Sequence, residues 1–198
     1  AWVFPGGALD AQDLAAARGD IQLTSRIAAA REAREESGLS PQLEDMVLLS
    51  HWTTPLAEPR RFSTWIYAAP LAADIEVVID GSEIHASRWL TLREAITEHE
   101  AGQLGMLPPT YFTLLSLARY DNVAQMVAAE RESPVPEVFP VFASNGDQLM
   151  VMFRGDAGYD SADGAVSGAR HRAVLRDACW RYQYRDVDPA YPPLIPAT

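Results

Sequence analysis

Residues 31–39 constrain this chain more than any other segment, because they place three glutamates on one short stretch of helix. With about 3.6 residues per helical turn, Glu32, Glu35 and Glu36 share one side, at separations of i,i+3 and i,i+4 from the first. Like charges at this spacing repel each other, so the arrangement favours a bound cation. Hard divalent cations such as Mg²⁺ and Mn²⁺ take carboxylate oxygens and keep water ligands for a phosphate group.

The same helix can also be interpreted as a solvated surface helix, in which Arg31 and Arg34 neutralise the glutamates. Its opposite side carries apolar residues that can pack against a sheet, namely Ile27, Ala30 and Ala33. We therefore expect one side of the helix to bind metal and the other side to anchor it.

A glycine turn precedes the helix. Residues 2–4 predict a strand that ends at Pro5, and Gly6 and Gly7 follow it. Glycine adopts positive φ without steric cost and lets the backbone approach a ligand closely. At the other end, Gly38 is expected to cap the helix.

Together these residues resemble the signature of the Nudix hydrolase family, a loop-helix-loop of a glycine, an acid, a spacer and Arg-Glu-x-x-Glu-Glu-x-Gly. The matching positions here are Gly7, Asp13, Arg31, Glu32, Glu35, Glu36, Gly38 and the aliphatic Leu39. Asp13 stands where the family usually has glutamate. The spacer, residues 14–30, is about ten residues longer than usual, a length that the slow growth of loop-closure entropy tolerates. Its sequence predicts a small extra helical turn and a new helix start, with Thr24 or Ser25 as N-cap.

The resemblance implies an α/β fold, a Nudix-type α/β/α sandwich with a mixed sheet. We expect residues 1–132 to form this domain and residues 133–198 to form a small β-rich extension. Because the chain begins inside a predicted strand, we also expect the N-terminal strands of the fold to be missing.

The resemblance also implies an activity, the hydrolysis of a diphosphate linkage in a nucleoside-diphosphate-linked substrate with Mg²⁺ or Mn²⁺ as cofactor. The implied ligands are the side chains of Glu32, Glu35 and Glu36 and the carbonyl of Gly6. Arg31 would orient a glutamate by ion pairing. The rival hypothesis is a non-catalytic Nudix-fold module that senses a nucleotide. A third interpretation is a β-rich interaction protein centred on residues 134–198.

The general base is less constrained than the metal ligands, because family members differ in where it lies. Glu35 is our first choice, and Glu98 and Glu100 are loop alternatives. Arg60 and Arg61 follow a predicted loop, where either guanidinium can bind a substrate phosphate or simply balance local acids.

Several short segments, residues 59–62, 88–90 and 107–110, resemble the acyl-coenzyme A diphosphatase branch of the family, which implies coenzyme A or acyl-CoA as substrate. Farther along, Arg170, His171 and Arg172 can either contact a nucleotide phosphate or form a polar strand face.

Composition narrows the class of partner. With 16 basic and 27 acidic residues, the net charge is −11, which disfavours a nucleic-acid or anionic-membrane partner. No apolar run reaches the roughly 18 residues of a membrane span, and Cys179 is the only cysteine. We expect a cytoplasmic protein. The resemblance to the Nudix family implies a small nucleotide-type substrate and is compatible with a homodimer.

Local patterns predict the remaining elements. We expect strands at residues 46–52, 61–69, 84–90, 170–176 and 180–184, and a hairpin turn at residues 144–147. Thr91 and Thr110 are expected to cap helices. Residues 155–168 predict a mobile loop, and residues 189–193 an extended tail.

Overall fold

The computed structural model describes residues 1–54, 62–72, 75–79 and 86–195. Five helices lie in this part of the chain: α1 (Ala11–Ala16), α2 (Ile21–Ser37), α3 (Leu92–Glu100), α4 (Pro108–Leu117) and α5 (Val123–Glu132). Its strands are β1 (Val47–Thr53), β2 (Ser63–Ala68), β3 (Glu137–Val138), β4 (Val141–Asn145), β5 (Gln148–Met152), β6 (Arg170–Arg176) and β7 (Cys179–Arg185). The predicted α/β class is confirmed.

The first sheet is mixed, as expected, with strand order β2-β1-β3. β1 pairs antiparallel with β2 and parallel with β3. A bulge interrupts β1 between Leu48 and Ser50, and Leu49 and Trp52 are both buried in the main hydrophobic core. The parallel partner β3 comes from the C-terminal third of the chain. The C-terminal third therefore contributes one edge strand to the first sheet.

The second sheet is antiparallel, with order β4-β5-β6-β7. The hairpin between β4 and β5 turns through Gly146, which has φ +60°, a conformation that glycine adopts without strain. The predicted hairpin is therefore confirmed. Strands β6 and β7 lie within a residue or two of the predicted positions.

An aromatic core joins the two sheets. The ring of Phe112 on α4 lies 6.1 Å from Trp52 of β1, 5.2 Å from Phe153 and 5.1 Å from Tyr182 of β7. All these pairs are tilted or edge-to-face, the arrangement that aromatic quadrupoles favour. The indole of Trp180 adds a hydrogen bond to the carbonyl of Met106, at 3.1 Å. The C-terminal strands are thus packed onto the helical part of the chain.

The glutamate helix α2 begins earlier than the sequence predicted. Asp20 is its N-cap, and its carboxylate accepts a hydrogen bond from the backbone N–H of Leu23. Thr24 and Ser25, the expected caps, lie inside the helix and are buried. Their hydroxyls donate to the carbonyls of Asp20 and Gln22 instead. The prediction failed because aspartate also caps helices, and Asp20 comes first along the chain.

The buried side of α2 also differs from the predicted one. Thr24, Ser25 and Ala28 are almost fully buried, whereas Ile27, Ala30 and Ala33 are only half-buried. Ser25 docks the helix on β2, with its hydroxyl 2.8 Å from that of Tyr67. The small residues on this side of α2 let neighbouring elements approach the helix closely. The short helix α1 also packs against α2. The side that carries the glutamates and the buried side of the helix are therefore not opposite each other.

Three further local predictions were wrong. Thr110 lies within α4, which begins at Pro108, because proline suits the first helical turn. Residues 86–90 form no strand. Trp2 makes only an isolated parallel bridge with Met106. By contrast, Thr91 caps α3 with Glu94 in a capping box, as predicted.

Residues 155–168 form the predicted loop, but three of its residues, Asp156, Gly158 and Gly164, are buried. Asp156 in this segment is buried, and its carboxylate forms an ion pair with the buried Arg172 of β6. Arg172 also donates to the carbonyl of Gly164, at 2.8 Å. Glycine and aspartate are frequent in loops in general. Here the carboxylate of Asp156 and the carbonyl of Gly164 accept hydrogen bonds from the buried guanidinium of Arg172.

Candidate functional site

The glycine turn lies directly against the glutamate helix. The backbone N–H of Gly6 donates to Oε2 of Glu36, at 2.9 Å. At Gly7 there is no room for a side chain, because an added Cβ would collide with the carboxylate of Glu32. Two of the three predicted glutamates therefore contact the turn that the sequence placed beside them. Gly38 ends the helix with φ +70°, as predicted.

Arg31 occupies the centre of this acidic group. Its Nη1 donates to Oε1 of Glu32 at 2.9 Å and to Oε2 of Glu35 at 3.0 Å. Its Nη2 donates to the carbonyl of Ala8 and to the carboxylate of Asp13, at 3.0 and 2.9 Å. These hydrogen bonds raise the pKa of Arg31 above its usual value, with the one to Asp13 the strongest cause. The guanidinium is charged at all relevant pH values.

Asp13 reaches Arg31 from α1, the short helix that continues into the spacer. Its own backbone N–H donates to Asp10, and its carboxylate accepts from the N–H of Asp10, which completes a capping box. Asp13 is only 3% exposed. Hydrogen bonding from Arg31 lowers its pKa below the usual value. Asp10 had no predicted role. An aspartate followed by a second acid three residues later, as at Asp10 and Asp13, is nevertheless a sequence signal for a capping box.

The donor chemistry of the group fits a hard divalent cation. Three carboxylates and backbone carbonyls are the oxygen ligands that Mg²⁺ and Mn²⁺ prefer. The absence of a side chain at Gly7 lets the carboxylate of Glu32 lie directly against the backbone of the turn. Over the described ranges, however, no three acidic, histidine or cysteine side chains stand together as a ready metal site. Instead, Glu32 and Glu35 share the single positive charge of Arg31 with Asp13.

The other predicted site residues lie apart from this group or outside the described residues. Arg60 and Arg61 fall outside the described residues. Glu98 forms a bidentate pair with Arg88, at 2.7 and 2.8 Å. Glu100 accepts a hydrogen bond from the hydroxyl of Tyr111.

Two of the three residues in the basic run at the start of β6 are buried, and only Arg170 is partly exposed. His171 and Arg172 are both 3% exposed, and Arg172 is committed to Asp156. The alternation of the sequence predicted an open polar face. Asp156, the buried partner of Arg172, lies outside residues 170–172. The sequence of these three residues therefore could not reveal the ion pair.

The comparison with known proteins agrees with this arrangement. The family profile described as the NUDIX domain matches residues 1–109, which is more than half of the chain. The chain therefore belongs to the Nudix family. The matched range contains the glycine turn, α1 and the glutamate helix.

One relative is a protein of Caenorhabditis elegans named "Putative nudix hydrolase 7". It is 28% identical over 195 aligned positions, which cover 75% of this chain and 64% of the relative. No solved structure matches this chain significantly. Among the described residues, no helix combines the length and apolar character needed to cross a bilayer.

Proposed function

We propose that this protein is a divalent-cation-dependent hydrolase that cleaves a diphosphate linkage in a nucleoside-diphosphate-linked substrate. The observation that carries the proposal is the contact between the glycine turn and the glutamate helix. Gly6 donates to Glu36, and Gly7 leaves space only for the carboxylate of Glu32. Membership of the Nudix family supports the same reaction class.

Glu32, Glu35, Glu36 and the carbonyl of Gly6 would hold Mg²⁺ or Mn²⁺. When bound, such a cation supplies Lewis acidity at the phosphoryl oxygens and lowers the pKa of a coordinated water. Glu35 is the glutamate best placed to accept the proton of the attacking water, because its side chain is 53% exposed. Arg31 keeps Glu32 and Glu35 in position through hydrogen bonds from one nitrogen, Nη1.

Within this reaction class, we propose coenzyme A or acyl-CoA as the substrate. The support is the resemblance of residues 59–62, 88–90 and 107–110 to the acyl-coenzyme A diphosphatase branch. The named relative is called only a nudix hydrolase, which agrees with the reaction class but says nothing of the substrate.

The test is a panel of coenzyme A, ADP-ribose and a dinucleoside polyphosphate, each incubated with the protein and Mg²⁺ and analysed by chromatography for nucleotide products. We expect hydrolysis of at least one compound, with coenzyme A the best substrate. E35Q and E36Q should each reduce the rate by at least about a hundredfold, the scale of general-base and charge effects at such sites. The matched control is E132Q, the same loss of charge at the exposed end of α5. Equal rates in E35Q, E36Q and E132Q would refute the proposal.

One observation favours a second candidate, a nucleotide-sensing module without catalysis. Arg31 forms ion pairs with Asp13, Glu32 and Glu35, so the two glutamates have a cationic partner without a metal. Such a module would bind a compound of the panel, as calorimetry would detect, and leave it intact in the presence of Mg²⁺ and of Mn²⁺. Turnover of any compound would exclude this candidate.

A further inference from the structure

Asp10 lies in the sequence between the glycine turn and the glutamate helix, and the proposed function gives it no role. It is the N-cap of α1, with φ −109° and ψ 173°. Its Oδ1 accepts hydrogen bonds from the N–H groups of Gln12 and Asp13, at 2.7 and 2.8 Å. The N–H of Asp10 in turn donates to Oδ2 of Asp13, at 3.0 Å. Asp10 therefore holds both the backbone and the carboxylate of Asp13.

The other carboxylate oxygen of Asp10 faces Arg31. This oxygen, Oδ2, lies 3.6 Å from Nε of the guanidinium. The same nitrogen donates to Oδ1 of Asp13 at 3.3 Å, and Nη2 donates to Oδ2 of Asp13 at 2.9 Å. Oδ2 of Asp13 thus accepts from the N–H of Asp10 and from Arg31. A displacement of Asp10 would move this oxygen, and the guanidinium with it.

The guanidinium of Arg31 transmits this constraint to the proposed metal ligands. Because it is a rigid planar fork, its two edges cannot turn independently. One edge contacts the two aspartates, and Nη1 donates to Glu32 at 2.9 Å and to Glu35 at 3.0 Å. Nη2 also donates to the carbonyl of Ala8, directly after the glycine turn, at 3.0 Å. The aspartates that orient Arg31 therefore also orient the two glutamates.

Exposure indicates which contact of Asp10 matters most. The side chain of Asp10 is 45% exposed, whereas that of Asp13 is 3% exposed. A half-exposed ion pair contributes little by itself, so the contact with Nε of Arg31 is the weaker one. The hydrogen bonds of the cap set the backbone of the first turn. Since α1 has only six residues, its own hydrogen bonds do not hold its shape, and the cap is needed.

We infer that Asp10 is a positioning residue for the metal-binding glutamates and acts on them through Asp13 and Arg31. The inference rests on the proposed function, which assigns Glu32 and Glu35 to the metal. A cap that only stabilised α1 would leave the orientation of Arg31 and the affinity for metal unchanged.

The test uses variants of the full chain that separate the cap from the charge. D10A removes both. D10N removes the charge and keeps the cap, because asparagine caps helices as well as aspartate does. The matched control is D20A. Asp20 is the N-cap of α2 and accepts from the N–H of Leu23, at the opposite end of that helix from Glu35.

The first measurement is the affinity for Mn²⁺, determined by electron paramagnetic resonance. We expect D10A to bind Mn²⁺ about tenfold more weakly than the unmodified protein, the lower end of the range for groups that orient a metal ligand. D10N and D20A should stay within about twofold, because a half-exposed charge and a remote cap act weakly on the ion.

The second measurement needs no metal. It is the exchange with water of the Nε–H proton of Arg31, observed by nuclear magnetic resonance and identified by the absence of its signal in R31K. The hydrogen bond to Asp13 should slow this exchange in the unmodified protein, in D10N and in D20A. D10A should accelerate it by about fivefold, the effect of one helix cap.

The role of Asp10 is overturned if Mn²⁺ binds to D10A and D20A with equal affinity, or if their Arg31 protons exchange at equal rates. It is also overturned if D10N loses as much Mn²⁺ affinity as D10A, because the loss would then follow the charge and not the cap. Absence of Mn²⁺ binding by the unmodified protein would refute the metal site of the proposed function, and proton exchange would still decide whether Asp10 positions Arg31. D10G, a less destabilising change at an N-cap, replaces D10A if D10A does not fold.

Discussion

The guanidinium of Arg31 on α2 is held by the carboxylate of Asp13 on α1, with Nη2 and Nε donating at 2.9 and 3.3 Å. This contact uses one edge of the guanidinium, and Nη1 on the other side serves Glu32 and Glu35. The long spacer therefore does not separate the acid from the helix. It contains the end of α1, a short turn and the first ten residues of α2, and α1 packs against α2 so that Asp13 contacts Arg31.

We predict that D13N destabilises the protein by about 1–2 kcal/mol, because it leaves Arg31 without its main charged partner at a largely buried position. The measurement is the free energy of unfolding from urea titration. D45N is the matched control, since Asp45 also pairs with an arginine, Arg131, at 3.7 Å, but both side chains are about half exposed. D45N should change stability by less than about 0.5 kcal/mol. Equal effects of the two substitutions would show that the Asp13 pair contributes no more than a surface pair.

We predict that G7A and G6A differ sharply although they are neighbours. A Cβ at Gly7 would displace the carboxylate of Glu32, whereas a Cβ at Gly6 meets nothing within 4 Å. Because the displaced group is the end of a flexible side chain, G7A should fold normally. The affinity of G7A for Mn²⁺, measured by electron paramagnetic resonance, should fall by about tenfold to a hundredfold. Losses of this size are typical when a residue that orients a metal ligand is replaced. If G6A loses as much affinity as G7A, the contact at Gly7 does not position Glu32 for metal.

We predict that D156N is the most destabilising of these substitutions, at about 3–5 kcal/mol. Burial alone would raise the pKa of Asp156, but hydrogen bonds from Arg172 and from the N–H groups of Gly158 and His171 outweigh it and lower the pKa. Neutralising the carboxylate leaves the buried guanidinium of Arg172 without a counter-charge. Thermal and urea unfolding would measure the loss. D160N, in the same segment but exposed, is the control and should be close to neutral.

We predict that His171 makes stability depend on pH in the weakly acidic range. Desolvation lowers its pKa in the folded protein below the usual value near 6.5. As pH falls below about 6.5, the unfolded chain binds the proton first, so the free energy of unfolding decreases, by at most about 1.4 kcal/mol per pH unit. Above this pH the contribution of the neutral ring is complete.

The measurement is urea unfolding at a series of pH values from neutral to weakly acidic, for the unmodified protein and H171F. Loss of the hydrogen bond to Arg154 should lower the stability of H171F at every pH. The decline between neutral and acidic pH should be shallower in H171F. An identical slope would mean that His171 titrates alike in the folded and unfolded states. Nearby Asp156 favours the charged ring but does not outweigh burial.

Local patterns predicted those elements whose signals lie within a few residues. Gly38 ends α2, Thr91 caps α3 and Gly146 turns the hairpin, because each acts through its own φ or through an N–H three residues away. The strand at residues 46–52 was predicted from its continuous apolar run. The same local reasoning placed the start of α2 at Thr24 or Ser25, but both residues are buried inside the helix, and the hydroxyl of Ser25 contacts Tyr67 of β2.

The sequence by itself determined that Glu32, Glu35 and Glu36 share one side of a helix behind a glycine turn, because helical periodicity is a property of the chain alone. Only the tertiary structure decided which groups these carboxylates contact. Arg31 divides its donors between its own helix and Asp13, and Arg172 is buried against Asp156 instead of facing a phosphate. Such pairings depend on which elements pack together, and neither α1 folding back on α2 nor β3 joining β1 follows from local spacing.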